Sequence, residues 1–140
     1  MSTIKTNTLT GTTSAGSILV TGEGGSTTTN LQQGLAKCWA EIASGGGSNN
    51  DSFNVSSNDD DGTGNYGINF TNNMNSTDYS TCITMTFVHN GTSNNPRHGV
   101  VNTKTASSVE IDTSYINSNS VFIFYDIETD ANTVINGDLA

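Results

Sequence analysis

The sequence predicts an all-β chain: an antiparallel β-sandwich, jelly-roll-like, with an extended N-terminal arm and one short helical turn. Two observations carry this. Six or seven short segments alternate apolar and polar residues with a period of two, the repeat of a strand covered on one face. Between them lie loops rich in Gly, Asn, Asp and Ser, and no long stretch repeats its apolar residues at helical spacing.

Composition bounds what such a chain can be. At 140 residues it holds one core of ordinary size, and with only 32% apolar residues that core is thinly stocked, a deficit usually met by oligomerisation. Asn, Ser and Thr make up about two-fifths of the chain. Disorder is disfavoured, because the chain has a single Pro, few charges and clustered β-branched and aromatic residues. The net charge of −9, from 13 acidic and four basic residues, leaves no cationic face for nucleic acid or an anionic membrane. No apolar run is long enough to span a membrane, and Met1–Thr6 lacks the apolar stretch of a signal peptide, so synthesis in a cytoplasm is expected. Cys38 and Cys82 are read as two buried thiols, outside any metal-ligand spacing.

Residues 1–30 are Thr- and Gly-rich and cannot build a core. They read as an arm with a short strand at Ile18–Val20 and a flexible link at Gly22–Gly25. Residues 31–140 form the sandwich domain. Thr29–Lys37 offers the helical turn: Thr29 or Asn30 can cap free N–H groups, Leu31 and Leu35 stand four apart, and Gly34 keeps it short. Strands are expected at Trp39–Ile42, at Ser52–Ser57, and at Asn65–Thr71 with Tyr66, Ile68 and Phe70 on one face. Asn58–Gly64, with its Asp59-Asp60-Asp61-Gly62 run, is the hairpin turn between the last two. Asp78–Val88 follows, with Tyr79, Thr81, Ile83, Met85 and Phe87 on one face, and then Gly99–Thr103 and Ser107–Asp112. Thr113–Asn119 is a connector. Ser120–Ile127 is apolar on both faces, which predicts a central strand or one pressed against a partner. Thr133–Ile135 adds a terminal strand.

Three segments carry a family likeness: Leu31-Gln32-Gln33-Gly34-Leu35-Ala36-Lys37-Cys38-Trp39, Ser52-Phe53-Asn54-Val55-Ser56-Ser57, and Asp61-Gly62-Thr63-Gly64-Asn65-Tyr66-Gly67-Ile68-Asn69-Phe70-Thr71. In these the chain resembles tail-fibre-like small virion structural proteins of tailed phages, especially those infecting marine cyanobacteria. The likeness covers residues 1–71 well and the remainder in pattern. It implies a viral structural protein, made in the host cytoplasm and located in the virion. The implied assembly is a homotrimer joined to other phage tail or capsid proteins, with host-surface glycans as a further partner. The tail-fibre role is host attachment; the alternative is capsid decoration through the N-terminal arm.

Candidate sites follow from residue type. Ile4, Leu9, Ile18, Leu19, Val20, Leu31, Leu35 and Trp39 are the apolar residues available for docking or oligomerisation. His89, Arg97, His98 and Tyr115 lie in or near polar loops and are the candidate receptor contacts. Trp39, Tyr66, Tyr79, Tyr115 and Tyr125 could each stack on a sugar ring, although most are expected in the core. The acidic run lacks the spacing and bidentate Glu of a calcium loop, and His89 and His98 have no third ligand placed by sequence. There is no Gly-x-Ser-x-Gly elbow, no carboxylate pair at readable spacing and no phosphate loop. No catalytic residue, cofactor or metal is therefore expected.

Overall fold

The computed structural model describes residues 3–13, 18–21, 24–86, 96–117 and 119–140, and the chain divides into two compact units, Met1–Leu35 and Ala36–Ala140.

In the first unit, β1 (Leu19–Thr21) pairs antiparallel with β2 (Thr28–Asn30), and the Leu31 N–H donates to the Ile18 carbonyl at 2.8 Å. The expected helical turn is instead a run of hydrogen-bonded turns, and no helix occurs among the described residues. Asn30 does cap as anticipated: its Oδ1 accepts from the N–H groups of Gln32 at 2.8 Å and Gln33 at 3.3 Å. With Gly34 unfavourable for helix propagation, only the long 3.3 Å bonds from Gly34 N to Asn30 O and from Leu35 N to Gln32 O follow.

The second unit is built from β3 (Cys38–Ala43), β4 (Asn49–Phe53), β5 (Val55–Gly62), β6 (Asn65–Phe70), β7 (Ser80–Met85), β8 (Arg97–Lys104), β9 (Ser108–Ile116), β10 (Phe122–Phe124) and β11 (Asp130–Asn136). All pair antiparallel. One sheet runs β4-β3-β11-β7. In the other, β8 lies along one side of β9, while β6 and then β10 occupy successive stretches of its other side, and β5 flanks β6. A jelly-roll order is not what these pairings describe, because β3–β4, β5–β6 and β8–β9 are hairpins within a single sheet.

Alternation explains how the two sheets share one core. Cys38, Ala40 and Ile42 of β3 and Ala131 and Ile135 of β11 meet Tyr66, Ile68 and Phe70 of β6 and Val109 and Ile111 of β9. Each fully buried isoleucine among them contributes roughly 1.5–3 kcal/mol by leaving water. On β7 the expected inner face holds: Tyr79 beside it is buried and Thr81, Ile83 and Met85 are half-buried, while Cys82 and Thr84 face solvent. Phe87 and Val88 lie outside the described residues.

Several expectations are corrected. Ser52–Ser57 is not one strand, because Asn54 takes a φ of 60° and turns the chain from the first sheet into the second. Its Nδ2 donates to the Lys37 and Asn72 carbonyls, both at 3.0 Å, and its Oδ1 accepts from Asn72 N at 2.7 Å. Asp59, Asp60 and Asp61 belong to β5 and not to the turn, which is confined to Thr63 and Gly64. Ser120–Ile127 is no central strand: only Phe122–Phe124 is paired, with Phe122 68% and Phe124 59% exposed. Thr113–Asn119 is not simply a connector, since β9 continues through it to Ile116, and Thr133–Ile135 lies in β11 at the middle of its sheet. Cys38 is buried but Cys82 is exposed, and neither is bonded.

Gly64 marks where β6 gives way to β10. At φ 72°, its N–H donates to Asp126 Oδ1 at 2.8 Å and its carbonyl accepts from Thr113 N at 2.7 Å. A Cβ there would stand 2.5 Å from the Thr113 carbonyl oxygen, so only glycine fits this close crossing.

Candidate functional site

Arg97 opens β8 directly across from Tyr115 of β9, and Tyr115 in turn stands across from Ile123 of β10. The three strands thus bring Arg97 and Tyr115 beside the segment that follows β10. There the Arg97 guanidinium lies 4.1 Å from the centroid of the Tyr125 ring and 4.9 Å from that of Tyr115. The two rings meet edge to face at 5.4 Å. Arg97 Nη2 pairs with Glu128 Oε2 at 2.9 Å, and the Tyr125 hydroxyl donates to Glu128 Oε1 at 2.6 Å.

The electrostatics follow from that geometry. The Tyr125 hydrogen bond, then Arg97, holds the Glu128 carboxyl below its usual value, so it is an anion at neutral pH. The same bond pushes the Tyr125 phenol up. A guanidinium between aromatic faces, its fork engaged by a carboxylate, fixes both rings in one orientation.

Beside the cluster, Ser44, Gly45, Thr63, Tyr125, Asp126, Ile127 and Glu128 line an open cleft of about 400 Å³. Asp126 is anchored from below by Gly64 N and by the Tyr66 hydroxyl at 3.1 Å, and that same hydroxyl accepts from Ile127 N at 3.1 Å. The cleft presents one ordered aromatic ring, carboxylates and hydroxyls, a set suited to hydrogen-bonding a polyhydroxylated ligand.

The receptor candidates are therefore divided. Arg97 and Tyr115 come together, although Tyr115 is half-buried in β9 and not in an exposed loop as expected. His98 points to the opposite face of β8, where its ring meets that of Phe122 at 6.5 Å. His89 lies outside the described residues. Of the docking candidates, Ile4, Leu9, Leu19, Val20 and Leu35 are exposed, while Ile18 and Leu31 are half-buried. Trp39 sits in register between Phe53 and Val134 on the outer face of its sheet, with Phe53 52% exposed.

Glu128 was not legible as a partner of Arg97, since 31 positions separate them and only the return of the chain after β10 joins them. A second grouping was also missed. Glu110, whose carboxyl is raised by burial and then by Asp61 and Asp59, faces outward from β9 and reaches the β5 carboxylates across Gly67 of the intervening β6. Among the described residues, no group of three or more His, Cys, Asp or Glu side chains is arranged to hold a metal ion. Comparison with known proteins finds no protein-family model, no curated protein and no solved structure that matches this chain.

Proposed function

We propose that this chain is a tail-fibre-like structural protein of a tailed-phage virion. Its β-sandwich contacts the host surface, and its N-terminal arm attaches it to the particle or joins it in a homotrimer. The arrangement that supports surface contact best is the Arg97–Tyr115–Tyr125–Glu128 cluster, which holds an aromatic ring and an anionic carboxylate rigidly at the mouth of a polar cleft. The family likeness of residues 31–71 supports the virion setting. Attachment is supported by the apolar side chains left in solvent, Ile4 at 86% and Leu19 at 61% exposure, together with the Phe53–Trp39–Val134 row.

Capsid decoration is the second reading, and the same exposed apolar residues favour it, because a shell lattice would cover them as well as a tail would. Immunogold electron microscopy of intact virions with antibody against this chain tests both. Gold on the tail supports the fibre role, gold over the head supports decoration, and virions without gold refute the virion assignment.

A further inference from the structure

On the outer face of the β8-β9-β10 sheet, Val100, Asp112, Ser114, Phe122 and Phe124 line a recess of about 320 Å³. The register makes this one face: Val100 stands across from Asp112, and Ser114 stands between His98 and Phe124. It is distinct from the Tyr125 cleft, which the inner face of the same strands approaches.

We infer that this recess binds a pyranose unit of an uncharged glycan. Three features of the recess select that class. First, the two phenylalanine rings are more than half exposed and form an apolar wall on which the C–H face of a sugar ring stacks. Second, the recess is polar at its base. Ser114 is only 8% exposed, and its hydroxyl has no hydrogen-bond partner among the described residues. Asp112 accepts from Asn65 Nδ2 at 3.0 Å and Asn102 Nδ2 at 3.2 Å through Oδ1 alone, which holds the carboxylate still and leaves Oδ2 to take a ligand hydroxyl. A purely apolar occupant would bury both groups without partners, a cost that a ring of hydroxyls removes.

Third, charge excludes the other candidates. Asp112 shares this face with Glu110, beside which Asp59 and Asp61 lie, on a chain of net charge −9. Acidic saccharides are repelled, and a second copy would bring the same sign against itself. The volume is at the lower end of small-molecule sites, matching one sugar unit. The inference names a ligand class for the host-surface role and rests on that reading for its biological setting only.

The test is a titration of the full ¹⁵N-labelled chain, followed by NMR, with methyl α-glucoside, methyl α-galactoside, N-acetylglucosamine and glucuronate. At least one neutral sugar should shift the amides of Val100, Asp112, Ser114, Phe122 and Phe124 saturably, and glucuronate should not. Phe122→Ala should weaken binding about tenfold, as the loss of one stacked ring implies, and Ser114→Ala, which keeps the fold, should weaken it by a smaller factor. No saturable shift with any neutral sugar overturns the inference, as does affinity unchanged in both variants. Shifts confined to Tyr125 and Glu128 overturn it while supporting the neighbouring cleft as the contact. Self-association abolished by Phe122→Ala also overturns it, by identifying a second copy as the occupant. Immunogold labelling is independent of every one of these outcomes, so failure here and failure of the virion assignment are separable.

Discussion

Three consecutive glycines, Gly45, Gly46 and Gly47, join β3 to β4 and should respond very differently to the same added methyl group. Gly46 adopts φ 77°, and a Cβ there would overlap the Cε1 and Cδ1 atoms of the Tyr66 ring. That ring is 1% exposed and cannot simply swing aside. Its hydroxyl bonds Asp126 and Ile127, so moving the ring strains or breaks both. The left-handed backbone costs an alanine about 1–2 kcal/mol, the forced repacking about 1–3, and the weakened hydrogen bonds about 1. Gly46→Ala should therefore lose about 3–6 kcal/mol, which in a unit of this size lowers the melting temperature by at least about 12 °C. Gly45 has φ 82° and open space around its Cβ position, so Gly45→Ala meets only the backbone term of about 1–2 kcal/mol. Gly47 has neither constraint, and Gly47→Ala should stay within about 0.5 kcal/mol of the parent. Thermal and urea unfolding followed by near-ultraviolet circular dichroism gives all three values. Equal melting temperatures for Gly45→Ala and Gly46→Ala would refute the idea that this loop pins the Tyr66 ring.

Cys82 should react promptly with dithionitrobenzoate in the native protein. Cys38, whose thiol burial pushes up to about 12, should react only after denaturation, and two fast thiols would contradict this assignment. Glu110 titrates above 4.5 in the folded chain, so the folded state holds its proton longer than the unfolded state does, and stability is lost as pH rises through that window. Glu110→Gln should consequently raise the urea midpoint at neutral pH, with the gain vanishing below pH 4.5; a gain that persists in acid would rule out the ionisation argument. Arg97→Met should cost about 1–2 kcal/mol through lost ring and carboxylate contacts, and Arg97→Lys should not restore it, because an ammonium lacks the planar fork. An unchanged urea midpoint in Arg97→Met would show that the cluster is not held by its cation.

Regular alternation made much of the core legible. Tyr66, Ile68 and Phe70 place their inward side chains by period alone, and the antiparallel sheets bear that reading out, while Cys38, Ala40 and Ile42 face them from the opposite sheet. What escaped depends on contacts distant in sequence. Nothing local requires Asn54 to adopt positive φ; the carbonyls of Lys37 and Asn72 do. Tyr115 looked like a loop residue because its neighbours are polar, yet pairing with Arg97 and Ile123 extends β9 through it. Phe122 and Phe124 alternate with Val121, Ile123 and Tyr125, which predicted a strand either central or pressed against a partner; the first is ruled out because the sheet turns both rings outward. The candidate site was half legible: Arg97 and Tyr115 were singled out, but Glu128 joins them only through the path of the chain after β10.

The placement of Asp59, Asp60 and Asp61 on β5 bears on how copies of this protein tolerate crowding. β5 is the outer strand of its sheet, and its open side is where another chain's strand could add backbone hydrogen bonds and begin a fibre. Three consecutive carboxylates there make every such approach, by an equally acidic copy, a meeting of like charges. Pairing of copies through this edge is accordingly opposed by charge, so backbone addition along β5 requires its carboxylates to be neutralised first.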